Sequence, residues 1–453
     1  MVEILWTNIL ERCTSISASS PLSIRYLLMI NKAFHRLAGK TQIFSTGSHD
    51  HAQNRLTHTL TVTSFSRFLA RDLNLSELYT EVIALCHDIG HTPFGHAGER
   101  VINQVMNGCA GVIPVKDICD DDNLPGYGFK HNLQSAYLCT ELEPILRSDG
   151  KPDRELSIGK ILYGIMSHTD TSWDECELRR RTDCQECVEK KCKLSFYREV
   201  RKYIKADNYT FESEIVTIAD EVAQRHHDIL DAYYMRLMPF DTIYEIVTPI
   251  IKQDKNCYNR FKDIKEGQHK AILQLANRLS ATYLRNISSE SAKNIKELKV
   301  QGSVANELQE LRRHNPIQMS ENISIEDKKL QKKLSTTVLN SHHVQRLDGV
   351  ADYVIRKLYR AYIENPMQLY DPTIVTVMRR HAGDDDILID KYQYDIKEAI
   401  GIARKDLLDE HTNGNNKFNA ILYRAITDHI AGMTDAYAYR EYRQLYGHEP
   451  PKV

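Results

Sequence analysis

The sequence is poor in the features that mark several common protein classes. Its 453 residues include only 10 cysteines, 20 glycines and 13 prolines, which argues against a disulfide scaffold and against a disordered or collagen-like chain. No apolar run approaches the roughly 18 residues of a membrane span. The first residues lack the basic and apolar segments of a signal peptide. We therefore expect a cytoplasmic protein with no membrane partner.

Net charge and strand-like alternation are also scarce. The formal charge is −2 at pH 7, so no global basic field drives binding to nucleic acid. Apolar residues instead recur at helical spacing, which predicts an all-α fold. The length fits about two to three domains. We expect a histidine-rich helical core with an N-terminal substrate-binding segment at 1–240, a charged helical region at 241–345 and a C-terminal helical segment at 346–453.

Histidine is the abundant chemical group, with 19 residues, and it serves metal sites and acid–base chemistry near neutral pH. A helix opened by Arg55 places His58, Val62, Phe65 and Leu69 on one face. His58 therefore points inward. A hydrogen-bonded core histidine and a functional histidine are both consistent with this position.

A second candidate is the dipeptide His87-Asp88, which follows an apolar helical run. Gly90, Pro93 and Gly95 then interrupt the chain before the next predicted helix. Such an interruption leaves polar side chains around a cavity rather than packed in a core.

The helix that follows this interruption carries His96 and Glu99. They are three residues apart, so they share a face and can form a hydrogen bond. A carboxylate that holds one imidazole nitrogen fixes the tautomer and raises the basicity of the other nitrogen.

A polar stripe on the predicted helix at 214–231 could complete a site. Its members are Asp220, Gln224, His227, Asp228 and Asp231. A solvated helix face is the alternative, although apolar neighbours bury this helix on more than one side. Two imidazoles and two carboxylates suit Mn²⁺, Fe²⁺, Co²⁺, Ni²⁺ or Zn²⁺, with open positions for water or a phosphate oxygen.

Five blocks extend over nearly the whole chain, at residues 34–44, 55–60, 87–99, 129–135 and 428–438. With His58, His87-Asp88 and Asp220, they resemble the dGTPase-type deoxynucleoside triphosphate triphosphohydrolases of the HD-domain superfamily. Residues 34–44 resemble the RRLxGKTQVF block of that family, and residues 55–60 resemble RLTHSL. Residues 87–99 differ from HDIGHPPFGHAGE at one position. Residues 129–135 and 428–438 resemble two further blocks of the family, the second being DYIAGMTDRYA. The resemblance implies an HD-domain helical core with C-terminal helical elaborations.

The resemblance also assigns roles to individual residues. It implies four metal ligands, which are His58, His87, Asp88 and Asp220. His96, oriented by Glu99, would act at the scissile P–O bond. The implied substrate-binding residues are Gln42, Ile43, Arg55, His91, His131, Asn132 and Asp228. Of these, Arg55 would meet a phosphate, Gln42 and Asp228 would bind the sugar 3′-hydroxyl, and Ile43 would pack against the 2′-carbon.

The implied activity is metal-dependent hydrolysis of a dNTP to a deoxynucleoside and inorganic tripolyphosphate, with Mn²⁺ or Mg²⁺ as the expected cofactor. One alternative is another HD-domain phosphohydrolase, either a nucleotidase or a phosphodiesterase. A second is a nucleotide-sensing or nucleic-acid-binding module whose catalysis is vestigial. The resemblance further implies a homo-oligomer, a hexamer or tetramer, with an allosteric nucleotide site and weak nucleic-acid binding. Gln224 stands where the family often has a tyrosine that contacts the phosphates.

A separate group of cysteines lies in a basic loop. Its members are Cys176, Cys184, Cys187 and Cys192. Four thiolates could bind a structural Zn²⁺, but the spacing is irregular. Free surface thiols and a redox pair remain open alternatives.

Overall fold

The protein is described by a computed structural model, and the description covers residues 20–44, 53–108, 111–113, 128–143, 145–146, 152–169, 197–265, 267, 270–301, 314–382, 396–413 and 416–447. Within these ranges the regular structure is helical. It contains one isolated bridge, between Thr41 and Asn54, and no β-strand. The predicted all-α class is confirmed. No helix in the described ranges combines the length and apolar character of a membrane span.

Eighteen α-helices are described in these ranges. In chain order they are α1 Pro21–Met29, α2 Lys32–Arg36, α3 Arg55–Asp72, α4 Glu77–Cys86, α5 Gly95–Met106, α6 His131–Tyr137, α7 Pro152–Ser167, α8 Arg198–Arg201, α9 Phe211–Tyr234, α10 Phe240–Ile251, α11 Lys255–Phe261, α12 Ala271–Gln301, α13 Glu321–Leu334, α14 His342–Glu364, α15 Asp371–Ala382, α16 Ile396–Asn413, α17 Asn416–Ala431 and α18 Asp435–Tyr446.

The described residues fall into two compact units, each discontinuous in sequence. Unit 1 takes those within Met1–Ile89, Ser135–Thr169 and Val200–Gln345, and unit 2 takes those within Gly90–Gln134, Asp170–Glu199 and Arg346–Val453. The chain passes from one unit to the other directly after Asp88-Ile89. The three segments expected from the sequence stay a prediction.

Helix α9 is the central element of unit 1. Its first turn is capped by Thr210, whose hydroxyl accepts the Ser213 N–H at 3.2 Å, and an N-cap of this kind stabilises a helix by about 1 kcal/mol. Ile215, Val216 and Val222 are fully buried along its length. Helix α9 packs against α3, α4, α7 and α12. This packing, rather than local propensity, brings its polar stripe next to His58 of α3 and next to His87, which directly follows α4.

Unit 2 has its own apolar core. Helix α5 is strongly amphipathic and buries Val101, Ile102 and Val105. Buried side chains of α14, α15, α17 and α18 complete the same cluster, Ile355 and Ile426 among them. Burial of one such side chain contributes roughly 1.5–3 kcal/mol. The core therefore fixes α5, the helix that carries His96 and Glu99.

Candidate active site

The first turn of α3 is held by a capping box and by a backbone hydrogen bond to Lys40. The Asn54 side chain accepts the Thr57 N–H at 2.9 Å, and the Thr57 hydroxyl accepts the Asn54 N–H at 3.2 Å, which is a reciprocal capping box. The Arg55 N–H also donates to the Lys40 carbonyl at 3.2 Å. As a result Arg55 and His58, which are three residues apart, are both almost completely buried.

Helix α4 delivers His87 and Asp88 to the same region. Its residues from Thr80 to Cys86 are all buried, so the helix end is held in the core. His87 Nδ1 lies 2.6 Å from the Ala84 carbonyl oxygen. Because a carbonyl can only accept, Nδ1 carries the proton and Nε2 keeps its lone pair. His87 is fully buried.

Asp220, on α9, joins these two histidines. Its Oδ1 lies 2.7 Å from His58 Nε2 and 3.9 Å from His87 Nε2, and Asp88 Oδ2 lies 3.7 Å from the same His87 nitrogen. The structure thus brings together all four predicted metal ligands. Burial opposes ionisation of Asp220, but the hydrogen bond and charge of His58, with His87, hold the pKa of its carboxyl well below the usual range.

The donor set fits a divalent cation. His58, His87 and Asp88 present ligand atoms within 4.8 Å of one another. His87 Nε2 is buried, has no hydrogen-bond partner in the described structure, and faces two carboxylates. A lone pair buried in this way carries a desolvation cost unless a donor or cation meets it. The cluster can therefore hold a metal ion, with imidazole and carboxylate ligands typical of catalytic sites.

The guanidinium of Arg55 lies against this cluster. Its Nη1 donates to Asp88 Oδ2 at 2.7 Å, and its Nε donates to the Thr41 carbonyl at 3.2 Å. Its Nη2 is buried without a hydrogen-bond partner among the described residues. The resemblance implied that Arg55 meets a phosphate. In the structure one nitrogen of the guanidinium holds Asp88, a second holds the Thr41 carbonyl, and Nη2 remains for a ligand.

The residues predicted to bind the sugar lie in unit 1 as well. Gln42 Oε1 and Asp228 Oδ1 are buried acceptor atoms without a hydrogen-bond partner in the described ranges. Ile43 is half-buried next to Gln42. Burial raises the pKa of Asp228 to about 7, although the charges of Arg225 and His58 oppose this.

Two further histidines, His227 and His168, lie next to the predicted metal ligands. The sequence did not indicate that they contact these ligands. His227 Nδ1 lies 3.2 Å from His58 Nδ1, and the His168 ring meets the His87 ring edge-on at 5.1 Å. Burial, and then the neighbouring charge of His58, hold the pKa of His227 well below its usual value. A neutral His227 can accept the His58 Nδ1 proton. The sequence feature that could have indicated His227 is its position seven residues after Asp220, on the same polar stripe of α9.

Unit 2 contains a second group, which we call the Glu99 cluster: His91, His96, Glu99 and His131. Glu99 Oε2 lies 3.2 Å from His96 Nδ1, and Glu99 Oε1 lies 2.9 Å from His131 Nδ1. The His91 ring stacks on His131 with centroids 3.9 Å apart. The predicted His96–Glu99 pair is present, and the structure adds His131 as a second partner of the carboxylate.

The Glu99 carboxylate is held in its ionised form. Burial would raise its pKa, but the charge and hydrogen bond of His131, followed by the hydrogen bond of His96, hold that pKa well below the usual range. The His96 side chain is 55% exposed, so it can meet a ligand, whereas His91 and His131 are buried. Asn132 is fully buried beside His131.

Other candidates lie outside these clusters or outside the described ranges. Arg36, which lies in the block at 34–44, forms an ion pair with Glu143 at 2.8 Å. The Gln224 side chain accepts from Arg225 at 3.3 Å. The four cysteines considered for zinc, Cys176, Cys184, Cys187 and Cys192, lie outside the described residues.

Comparison with known proteins places these clusters in a family context. Residues 55–225 match the HD domain, and residues 398–444 match the phosphohydrolase-associated domain. The HD match contains all four predicted metal ligands and both members of the His96–Glu99 pair.

Curated relatives cover nearly the whole chain. A deoxyguanosinetriphosphate triphosphohydrolase-like protein from Geobacter metallireducens is 27% identical over 91% of this chain and 85% of its own. Relatives with the same description from Rhizobium meliloti and Rickettsia felis are 26% and 27% identical, over 92% and 91% of this chain and 86% and 88% of their own. The chain thus contains an HD domain followed by a phosphohydrolase-associated domain, and along nine tenths of its length it is similar to deoxyguanosinetriphosphate triphosphohydrolase-like proteins.

Proposed function

We propose that this protein hydrolyses deoxynucleoside triphosphates to the deoxynucleoside and inorganic tripolyphosphate. One observation carries the proposal: Arg55 is buried, holds Asp88 with one nitrogen and keeps Nη2 without a partner in the described structure. A buried cationic donor beside a cluster that can hold a divalent cation suits a phosphate group. The names of the relatives from Geobacter metallireducens and Rhizobium meliloti support a nucleoside triphosphate.

The proposed reaction breaks the bond between the α-phosphorus and the 5′-oxygen. Water attacks the α-phosphorus in line, the 5′-oxygen leaves with a proton, and tripolyphosphate keeps the oxygen of water. His58, His87, Asp88 and Asp220 would hold the cation, Mn²⁺ or Mg²⁺ in this proposal, which supplies Lewis acidity toward phosphate when bound. His96 carries the proton: Glu99 holds its Nδ1 side, which leaves Nε2 for exchange.

The assay that tests this proposal incubates the protein with each dNTP, and in parallel with cyclic nucleotides, in the presence of Mn²⁺ or Mg²⁺. The products are separated by chromatography. Tripolyphosphate and deoxynucleoside are expected in equal amounts. Orthophosphate instead would indicate a nucleotidase, and turnover of cyclic nucleotides alone a phosphodiesterase. Nucleotide binding without turnover would indicate a sensing module. Each of these three results would overturn the proposal.

A variant of Arg55 sharpens the same assay. Arg55→Lys keeps a cation next to Asp88 but removes the nitrogen that has no partner. We expect weaker dNTP binding, by about tenfold for the loss of one charge-assisted hydrogen bond, with unchanged metal content. Arg36→Lys is the matched control, because Arg36 already forms an ion pair with Glu143.

We also propose that the site discriminates against ribonucleotides. Gln42 and Asp228 offer acceptors for the 3′-hydroxyl, and Ile43 packs against the 2′-carbon. A 2′-hydroxyl buried there without a partner costs about 1–3 kcal/mol, so we expect GTP to be turned over roughly 5- to 150-fold less efficiently than dGTP. Equal kcat/KM values for the two nucleotides would contradict this sugar site.

A further inference from the structure

The helix that carries His96 begins in an unusual way. Phe94, the residue directly before α5, has φ 64° and ψ 21°, which is the left-handed region. A residue with a Cβ atom is unfavourable there. As the N-cap residue, Phe94 supplies no capping hydrogen bond from its side chain. Another group must therefore hold this turn.

A carboxylate from the C-terminal segment meets the turn. The Phe94 N–H donates to Asp435 Oδ1 at 2.8 Å, and Asp435 is 4% exposed. A bond from a buried amide to a carboxylate is charge-assisted and strong. The Phe94 ring also meets the Tyr439 ring edge-on at 5.1 Å. Both Asp435 and Tyr439 belong to α18, at the end of the phosphohydrolase-associated domain.

Asp435 is itself held in place. Thr434 caps α18, since its hydroxyl accepts the Tyr437 N–H at 3.2 Å. On the other side of the contact, the Thr92 hydroxyl donates to the Gly95 carbonyl at 2.9 Å. The turn is also packed tightly onto α5, because a Cβ atom on Gly98 would come within 2.0 Å of the Pro93 carbonyl oxygen. The start of α5 thus has one defined geometry.

His96 follows Phe94 by two residues and Glu99 follows it by five, so this turn sets where both side chains point. We propose that Asp435 is a positioning residue: from the C-terminal segment it fixes the Phe94–Gly95 turn and thereby the orientation of His96. The inference rests on the proposed function for its effect on rate, and on the contacts of unit 2 for its effect on His96. It gives the phosphohydrolase-associated segment a specific task in the reaction.

The test compares Asp435→Ala with Asp435→Asn in the full-length protein. Alanine removes the acceptor, and a displacement of His96 by about 1 Å would lower kcat by roughly 10- to 100-fold. KM and metal content should not change, since neither the metal ligands nor the substrate contacts are altered. Asparagine keeps an acceptor oxygen and should recover most of the rate. Asp371→Ala is the control, an aspartate that also begins a C-terminal helix and instead pairs with Arg404.

A double variant separates positioning from general destabilisation. If Asp435 acts through His96, then adding Asp435→Ala to His96→Ala lowers the residual rate no further. A residue with only a structural role would lower the rate in both backgrounds. Thr92→Val disturbs the same turn and should give a smaller loss of the same kind. Thr92→Val can therefore replace Asp435→Ala in this test if Asp435→Ala does not fold.

A readout that needs no turnover distinguishes this inference from the proposed function. The ring signal of His96, in protein labelled with ¹³C-histidine, is assigned by its loss in His96→Ala. We expect this signal to shift in Asp435→Ala and to return in Asp435→Asn, while the His226 signal stays fixed. An unmoved His96 signal would overturn the positioning role. A shifted signal in a protein that hydrolyses no dNTP would uphold it and refute the substrate instead.

Discussion

At the scale of single residues, Asp220 is the side chain that connects the predicted metal ligands, because its Oδ1 faces both His58 and His87. We expect Asp220→Ala, and equally His58→Ala, to abolish activity together with tight binding of a divalent cation, since three ligands leave the ion under-coordinated. Metal content is measured by mass spectrometry of the purified variants. The exposed Asp207, altered to alanine, serves as the control. Wild-type metal content in either variant would contradict the ligand set.

His227 supports the site from behind. Its Nδ1 lies 3.2 Å from the His58 nitrogen that faces away from Asp220, so it can orient the His58 ring. Groups in this position typically change metal affinity by 10- to 100-fold, and we expect His227→Ala to weaken Mn²⁺ binding by about that factor. His226→Ala is the matched control, as the His226 ring is held by Ser280 at 3.0 Å. Equal affinities in the two variants would remove His227 from the site.

The His96–Glu99 pair should act as one unit. We expect His96→Ala to lower the single-turnover rate by roughly 10²–10⁴, the usual contribution of a positioned acid or base, with metal content and dNTP affinity near wild type. Glu99→Ala should give a smaller loss, and the double variant should be little worse than His96→Ala alone. Strictly additive losses would contradict the pairing. Loss of metal from His96→Ala would make His96 a ligand.

At the scale of elements, α9 carries the features that matter most. Asp220 and His227 both contact His58. Two further acidic residues, Asp228 and Asp231, follow on the same helix. Burial, with the neighbouring charge of Asp228, raises the pKa of Asp231 to about 8. Asp231 Oδ2 is buried without a hydrogen-bond partner among the described residues. The helix therefore holds Asp231 protonated at neutral pH.

This protonation makes folding depend on pH with a defined sign. Unfolded Asp231 ionises near pH 3.9, so between about pH 4 and 8 the folded state holds the extra proton. Its contribution to stability is fully present below about pH 4 and is lost as the pH rises through about 8. We expect Asp231→Asn to gain up to about 1.4 kcal/mol of unfolding free energy per pH unit, relative to wild type, across this window. Urea unfolding at pH 5.5 and 7.5, in a chelator, measures the gain. The same offset at both values would contradict it.

The spacing of apolar residues along the sequence predicted helices such as α3, but not the contacts that these helices make with one another. The inward face of α3 was predicted, and His58, Val62 and Leu69 are buried. The contacts of His58 with His227 and of Glu99 with His131 join different helices. They depend on tertiary packing, which periodicity does not encode. The left-handed conformation of Phe94 was also not predicted, because the sequence indicated only an interruption of the chain at Gly90, Pro93 and Gly95.

For the whole molecule, the similarity to known proteins could be predicted from the sequence, whereas the packing between helices could not. The blocks at 34–44, 55–60, 87–99, 129–135 and 428–438 indicated the resemblance, and it is confirmed by the domain matches at 55–225 and 398–444 together with the similar curated proteins. The two units are discontinuous in sequence, so no shift in composition marks their boundaries. The chain first leaves unit 1 after Ile89. The four residues predicted to bind metal belong to unit 1, and His96 and Glu99 belong to unit 2.

A single turnover in H₂¹⁸O tests whether water attacks the α-phosphorus of a dNTP. Mass spectrometry of the products locates the new oxygen. We expect one ¹⁸O atom in tripolyphosphate and none in the deoxynucleoside, because the bond to the 5′-oxygen breaks on the phosphorus side. Label in orthophosphate, with a shortened nucleotide remaining, or label in the 5′-hydroxyl of the nucleoside, would contradict the claim.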